Sequence, residues 1–217
     1  LGTASSIWDF ADVSVASGAI WDLGGYSETV GSIAGAGTIR NASTLTLSYN
    51  NPSLTTNFSG LLEGAMAIVK NGSTGTLELS NANTYTGLTT ISQGIIRLKH
   101  ADGLGTAAGG TLVSDAASLQ LDGGITVATE ALTLNGTGGG LGALRNLTGS
   151  NTYAGAITLG TPAVRINSDA GLLSISGTLA NPNGLTFGGV SNLDVSGVIS
   201  GASTLTKDGA GYLLLRG

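Results

Sequence analysis

Cysteine is absent from the 217 residues, so no disulfide holds this chain and thiol chemistry is excluded. Charge is scarce. Charged residues make up 10%, with eight Lys and Arg against thirteen Asp and Glu and a net charge of -5. The basic residues form no cluster, which speaks against nucleic acid or an anionic membrane as a partner through long-range attraction. Aromatic residues are few, at 5%. The three prolines, Pro52, Pro162 and Pro182, sit at expected turns. No apolar run approaches the roughly 18 residues a membrane helix needs, so direct membrane insertion is not expected. The opening LGTASSIWDF has no basic n-region. Any export signal is expected outside these residues.

What is present is glycine, threonine, serine and short alternating runs. Hydrophobic residues reach 41% beside 37 glycines, enough to bury a core and to argue against disorder. Period-two alternation marks strands at Thr44 to Ser48, Thr76 to Ser80, Ile95 to Lys99, Ser118 to Leu121, Ala131 to Leu134, Leu172 to Ser176 and Tyr212 to Leu215, each with one half-buried face. Glycine, Asn or Asp ends each run after a few residues and supplies the corner. Helical spacing is not sustained anywhere. Ala101 to Ala108 is the one stretch that reads as a short helical turn.

A cassette recurs 68 residues on: LSNANTYTGLTTISQGIIRL (Leu79 to Leu98) and LTGSNTYAGAITLGTPAVRI (Leu147 to Ile166) align without a gap. Their shared anchors are Asn83/Asn151, Tyr85/Tyr153, Gly87/Gly155 and Arg97/Arg165. A second echo, 137 residues apart, links FSGLLEGAMAIVKNG (Phe58 to Gly72) to VSGVISGASTLTKDG (Val195 to Gly209). Repetition of this kind means stacked units that bury a core against their neighbours. Asn-Gly sites occur at Asn71-Gly72, Asn135-Gly136 and Asn183-Gly184 but do not pair strands regularly as hairpins would. The expected fold is therefore all-β: a parallel β-helix (solenoid) of about nine or ten coils, with residues 1–217 as a single segment. Within it, the cassette Asn is expected to bond backbone at turns and stack in ladders. The Tyr is expected to cover a corner with its hydroxyl in water, and the Gly to permit a corner closed to other residues.

Three stretches resemble the passenger-associated β-strand repeat of bacterial autotransporters: Gly60 to Gly94, Gly142 to Leu159 with Ser168 to Gly177, and Gly197 to Gly217. They carry a glycine turn, an apolar strand, Lys-x-Gly, a Leu-x-Leu strand and Asn-Thr-Tyr-x-Gly, in that order where the unit is complete. Glu63, Met66 and Ser80-Asn81 depart from the usual pattern. The resemblance implies a right-handed parallel β-helix in a surface-exposed or secreted passenger. It also implies an outer-membrane β-barrel in the same precursor, and a role in passenger folding, secretion and stalk building.

Chemistry is sparse. The single histidine, His100, lies in a turn-like KHADG and reads as solvent-exposed rather than as a base. Asp102 and Asp122 are 20 residues apart and would stack in a solenoid; Asp9 and Asp12 share one stretch. Both pairs are expected at this density of carboxylates without implying a sugar-cleaving dyad. Gly136 to Gly142 (GTGGGLG) lacks the Lys-Ser/Thr of a phosphate loop and reads as a corner or bulge. Trp8 and Trp21 read as a cap or as core. Thr44/Thr46 and Thr204/Thr206 fall short of a threonine array. No catalytic, cofactor-binding or metal site is assigned.

The leading reading is a non-enzymatic structural segment of a surface or secreted passenger, supporting folding and secretion and displaying adhesive or matrix regions. One alternative is a self-associating adhesin or fibre subunit, because a β-helix has two open ends. Its own copies, head-to-tail or lateral, and host or matrix surface molecules are the partners these readings imply. A third reading is a polysaccharide-active enzyme on the same scaffold.

Overall fold

The computed structural model describes residues 6–49, 51, 53–72, 75–201 and 203–217; Pro52 lies outside them. Among the described residues there are strands and turns and no α-helix. Ala101–Leu104 is a plain turn rather than the helical one its composition suggests. The chain divides into two compact units, residues 1–111 and 112–217.

In residues 1–111, one turn of chain lays down three short strands on three faces. Asp12–Val15, Ile20–Asp22 and Glu28–Val30 come first. Ser32–Gly35 then returns to pair in parallel with Asp12–Val15, Ser32 opposite Asp12. Thr38–Arg40 lies on Ile20–Asp22 and Thr44–Leu47 on Glu28–Val30, both parallel. Residues 112–217 follow the same plan: Leu144–Thr148, Asn151–Tyr153 and Ile157–Leu159 receive Val164–Ser168, Leu172–Ile175 and Leu179–Ala180 as their parallel neighbours. Register partners set the turn length, from Glu28 opposite Leu45 at the short end to Thr126 opposite Thr152 at the long end. The face with the most strands carries five in each unit, in keeping with nine or ten coils. The fold is a parallel β-solenoid.

Alternation decides which side chains go inward. Leu45 and Leu47 are fully buried while Thr44 and Thr46 between them are half-exposed. Because successive turns pair in parallel register, with a shift after Leu121, buried residues line up in rows. Leu45 stacks on Ile68, and Leu144 on Ile166 and then Phe187. All of these are fully buried, and each aliphatic side chain in such a row gains on the order of 1.5–3 kcal/mol from leaving water.

Candidate functional site

The repeated cassette is the most organised polar feature of both units. Asn83 is 4% and Asn151 1% exposed, and each bridges turns. Asn83 Oδ1 accepts the Leu62 amide at 2.9 Å from one turn back, and Nδ2 donates to Gly103 O at 2.7 Å one turn on. Asn151 Oδ1 accepts two amides of the preceding turn, Gly124 at 2.8 Å and Ile125 at 2.7 Å. Its Nδ2 donates to Thr148 O at 2.7 Å and to Asn146 Oδ1. The asparagines thus staple neighbouring turns through backbone groups at a corner, where the ladder stops and those groups would otherwise be buried and unpaired.

The tyrosines correct the expectation of a hydroxyl in water. Tyr85 and Tyr153 are both fully buried. Tyr85 Oη lies 2.7 Å from Thr89 Oγ1, and Tyr153 Oη donates to Glu130 O at 2.8 Å. Tyr153 is turned inward by parity on Asn151–Tyr153, Tyr85 from a corner outside any strand, and a buried hydroxyl must then find a partner. Burial, and secondarily the Glu130 carboxylate, pushes the Tyr153 phenol well above its usual range.

Gly87 and Gly155 do sit where other residues would not fit, and the reason is space. Neither has a positive φ. A Cβ on Gly87 would collide with Met66 O, and one on Gly155 with Glu130 O. In residues 112–217 the same position recurs as Gly155, Gly177, Gly197 and Gly217. There a Cβ on each of the last three would strike the carbonyl of the glycine one turn earlier. This column of close backbone contacts was visible in the sequence only as a Gly two residues before each of Ile157, Leu179 and Ile199.

The cassette arginines are ion-paired, in different directions. Arg97 Nη1 meets Glu78 Oε1 at 2.8 Å on the preceding turn, and Lys99 holds the other oxygen at 2.9 Å. Arg165 instead reaches forward to Asp208 with two bonds of 2.8 and 2.7 Å. The other arginines pair across turns as well: Arg40 with Asp22, Arg145 with Asp169, and Arg216 with Asp194. Sequence spacing of about one turn between opposite charges was the available signal.

Lys70 is the residue that reading along the chain missed. It continues the inward row Val30, Leu47, Lys70, Ile91 and is fully buried. Its ammonium donates to Asn71 O at 3.0 Å, Gly72 O at 3.3 Å and, from the next turn, Gln93 O at 3.4 Å. It also lies 4.1 Å from the centre of the Tyr49 ring. Three donors meet three carbonyls, and the ring faces the cation. Burial nevertheless pushes the ammonium down to about 8. The Lys-x-Gly of the repeat is thus a cation folded back onto its own turn. Lys207 does the same, onto Asp208 O and onto Gly209 O at 3.1 Å. Parity was the signal: in AIVK, Lys70 shares a face with Ile68.

The remaining candidates do not converge. The His100 side chain is 40% exposed, its Nδ1 accepting the Asp102 amide at 3.1 Å within the turn. Asp102 lies in residues 1–111 and Asp122 in residues 112–217, and Asp122 accepts from Thr148 Oγ1. Asp12 accepts from Ser32 Oγ at 2.6 Å, while Asp9 lies in an exposed turn. Gly138 to Gly142 close a tight corner, with Gly142 N donating to Thr137 O at 2.9 Å. Trp8 is 72% exposed and meets Phe10 edge-on at 5.6 Å, so it is no part of the core; Trp21 is half-buried on Ile20–Asp22. Thr46 stacks in register with Thr29 and Val69, and Val69 with Thr90, a single column broken by valine. Thr206 stacks on Thr186. A shallow trough of about 480 Å³ runs past Asp22, Arg40, Asn41, Glu63 and Gly64. Among the described residues no group of three or more His, Asp or Glu could hold a metal ion.

The passenger-associated-transport-repeat family matches residues 68–98, the stretch from Ile68 through the first cassette. The adhesin BmaC autotransporter of Brucella suis biovar 1 (strain 1330) is 35% identical over 212 residues, covering 92% of this chain. The aligned chain spans only 6% of that relative's length. No solved structure matches.

Proposed function

Because this chain is an autotransporter passenger segment carrying the passenger-associated transport repeat, we propose that it is a structural stretch of a cell-surface or secreted stalk. In this reading it supports folding and export of the passenger and holds adhesive or matrix-facing regions away from the membrane. Its precursor would carry an outer-membrane barrel. The relative's name, an adhesin, favours display over catalysis.

The observation that carries the reading is how the polar groups are used. Asn83, Asn151, Lys70, Arg97 and Arg145 bond to neighbouring turns. Each new turn therefore finds a finished template of open strand edges, apolar rows and corner staples. Stacking onto that template gains backbone hydrogen bonds and buried area without a cofactor. A chain emerging from the outer membrane would be drawn outward as turns add.

The test is deletion of Gly60 to Gly94 within the full-length precursor, with surface passenger measured by protease accessibility on intact cells. Surface passenger is expected to fall at least severalfold while the barrel still inserts. Unchanged display would remove the supporting role.

A further inference from the structure

The Arg165–Asp208 pair differs from the other ion pairs of this chain in what it spans. Arg145 meets Asp169, and Arg216 meets Asp194, one turn apart. Arg165 and Asp208 are 43 residues apart, with a complete turn between them. Strand register defines the geometry. Val164–Ser168 pairs with Leu185–Gly188, which pairs with Leu205–Lys207. Asn167 is opposite Gly188, and the Asp208 amide donates to Phe187 O at 3.0 Å. Gly188 therefore lies between the turns that bear the two charges.

The absent side chain at Gly188 is what lets the guanidinium across. A Cβ there would strike Arg165 Nη2 and would stand only 2.6 Å from Asn167 Oδ1. The crossing leaves Arg165 Nε and Asn167 Oδ1 buried without hydrogen-bond partners, a cost that a loose surface pair would not accept. The bidentate contact with Asp208 offsets it, and that contact also holds the Asp208 carboxyl below its usual range. The other cassette lacks the arrangement. Its Lys-x-Gly strand, Ala67–Lys70, pairs with Thr89–Ile91, while Arg97 lies on Ile95–Leu98, which pairs with Thr76–Leu79. Asn71 stands where Asp208 does in the echo, and Arg97 turns back to Glu78.

We propose that Arg165, Gly188 and Asp208 form a latch over an intervening turn, so that three consecutive turns of residues 112–217 open and close as one unit. Ordinary stacking couples nearest neighbours; the latch adds a second-neighbour coupling. The strand under it, Leu185–Gly188, is held by charges that belong to neither of its ends.

Hydrogen exchange on the intact chain reads this directly. Asp208→Asn is expected to speed exchange roughly tenfold in Leu185–Gly188 as well as in Leu205–Lys207. Arg165→Gln is expected to match it, and the double variant to exchange no faster than either single one. Gly188→Ala, which alters no charge, is expected to give the same pattern. Asp194→Asn, which frees Arg216 only, is expected to affect Leu213–Leu215 and leave Leu185–Gly188 unchanged. The latch is overturned if Asp208→Asn acts on Leu205–Lys207 alone, or if the two single effects multiply in the double variant. Raising sodium chloride on the unaltered chain is a second readout that needs no variant to fold. Exchange in Leu185–Gly188 should rise with salt, and a flat response also overturns the latch.

Discussion

Lys70 places a positive charge in an otherwise apolar row, and its consequence is a pH dependence of defined sign. Its ammonium titrates near 8 in the folded chain against 10.5 when unfolded. Between those values the unfolded chain binds more protons, so stability rises with pH through that window. Below about 8 both states are charged and the desolvation cost is carried in full. The buried phenols of Tyr49 and Tyr153, raised by burial, act oppositely above pH 10, where the unfolded chain would ionise them first. The expected outcome is a higher urea midpoint at pH 9.5 than at pH 7.5, with the rise absent in Lys70→Met. A wild-type midpoint that falls over this interval would show that the three carbonyls and the Tyr49 ring hold the charge more firmly than burial opposes it.

At the scale of the strand, parity is the governing constraint. Buried and exposed side chains alternate, so a turn can be removed without damage only if the register partners meet again. Leu173 is opposite Leu193. Deletion of residues 173–192 joins Leu172 to Leu193 and restores the row. Deletion of residues 173–191 joins it to Asn192 and sends Leu193 outward. The first variant is expected to unfold cooperatively with a smaller m-value, since m follows the surface exposed on unfolding. The second is expected to lose several kcal/mol through exposed leucines and buried polar groups, visible as a collapsed urea midpoint or an aggregating product. Equal behaviour of the two would show that the alternating rows do not set the register.

At the scale of the whole molecule, stability should approach a sum of turn and interface contributions. Removing residues 1–31, and with them the strands Asp12–Val15, Ile20–Asp22 and Glu28–Val30, is expected to lower the m-value roughly in proportion to the residues lost. The β-rich circular dichroism of the remainder should survive. Complete loss of structure would mean that residues 1–31 close the fold rather than merely extend it.

The one-dimensional pattern was enough to establish the all-β class, the positions of the seven alternating strands and the parallel stacking. TLTLS became Thr44–Leu47 and IIRLK became Ile95–Leu98, because alternation, glycine corners and a recurring cassette are local facts that stacking only repeats. The Asn and Gly of the cassette were legible as corner residues for the same reason. Three things waited for the folded chain. Tyr85 and Tyr153 turned inward, Lys70 took a place in an apolar row, and Arg165 crossed Gly188 to reach Asp208. Each depends on which residues one or two turns away come to lie alongside. Turn length varies between Glu28/Leu45 and Thr126/Thr152, so a fixed sequence spacing does not name the neighbour; only the closed hydrogen-bond register does.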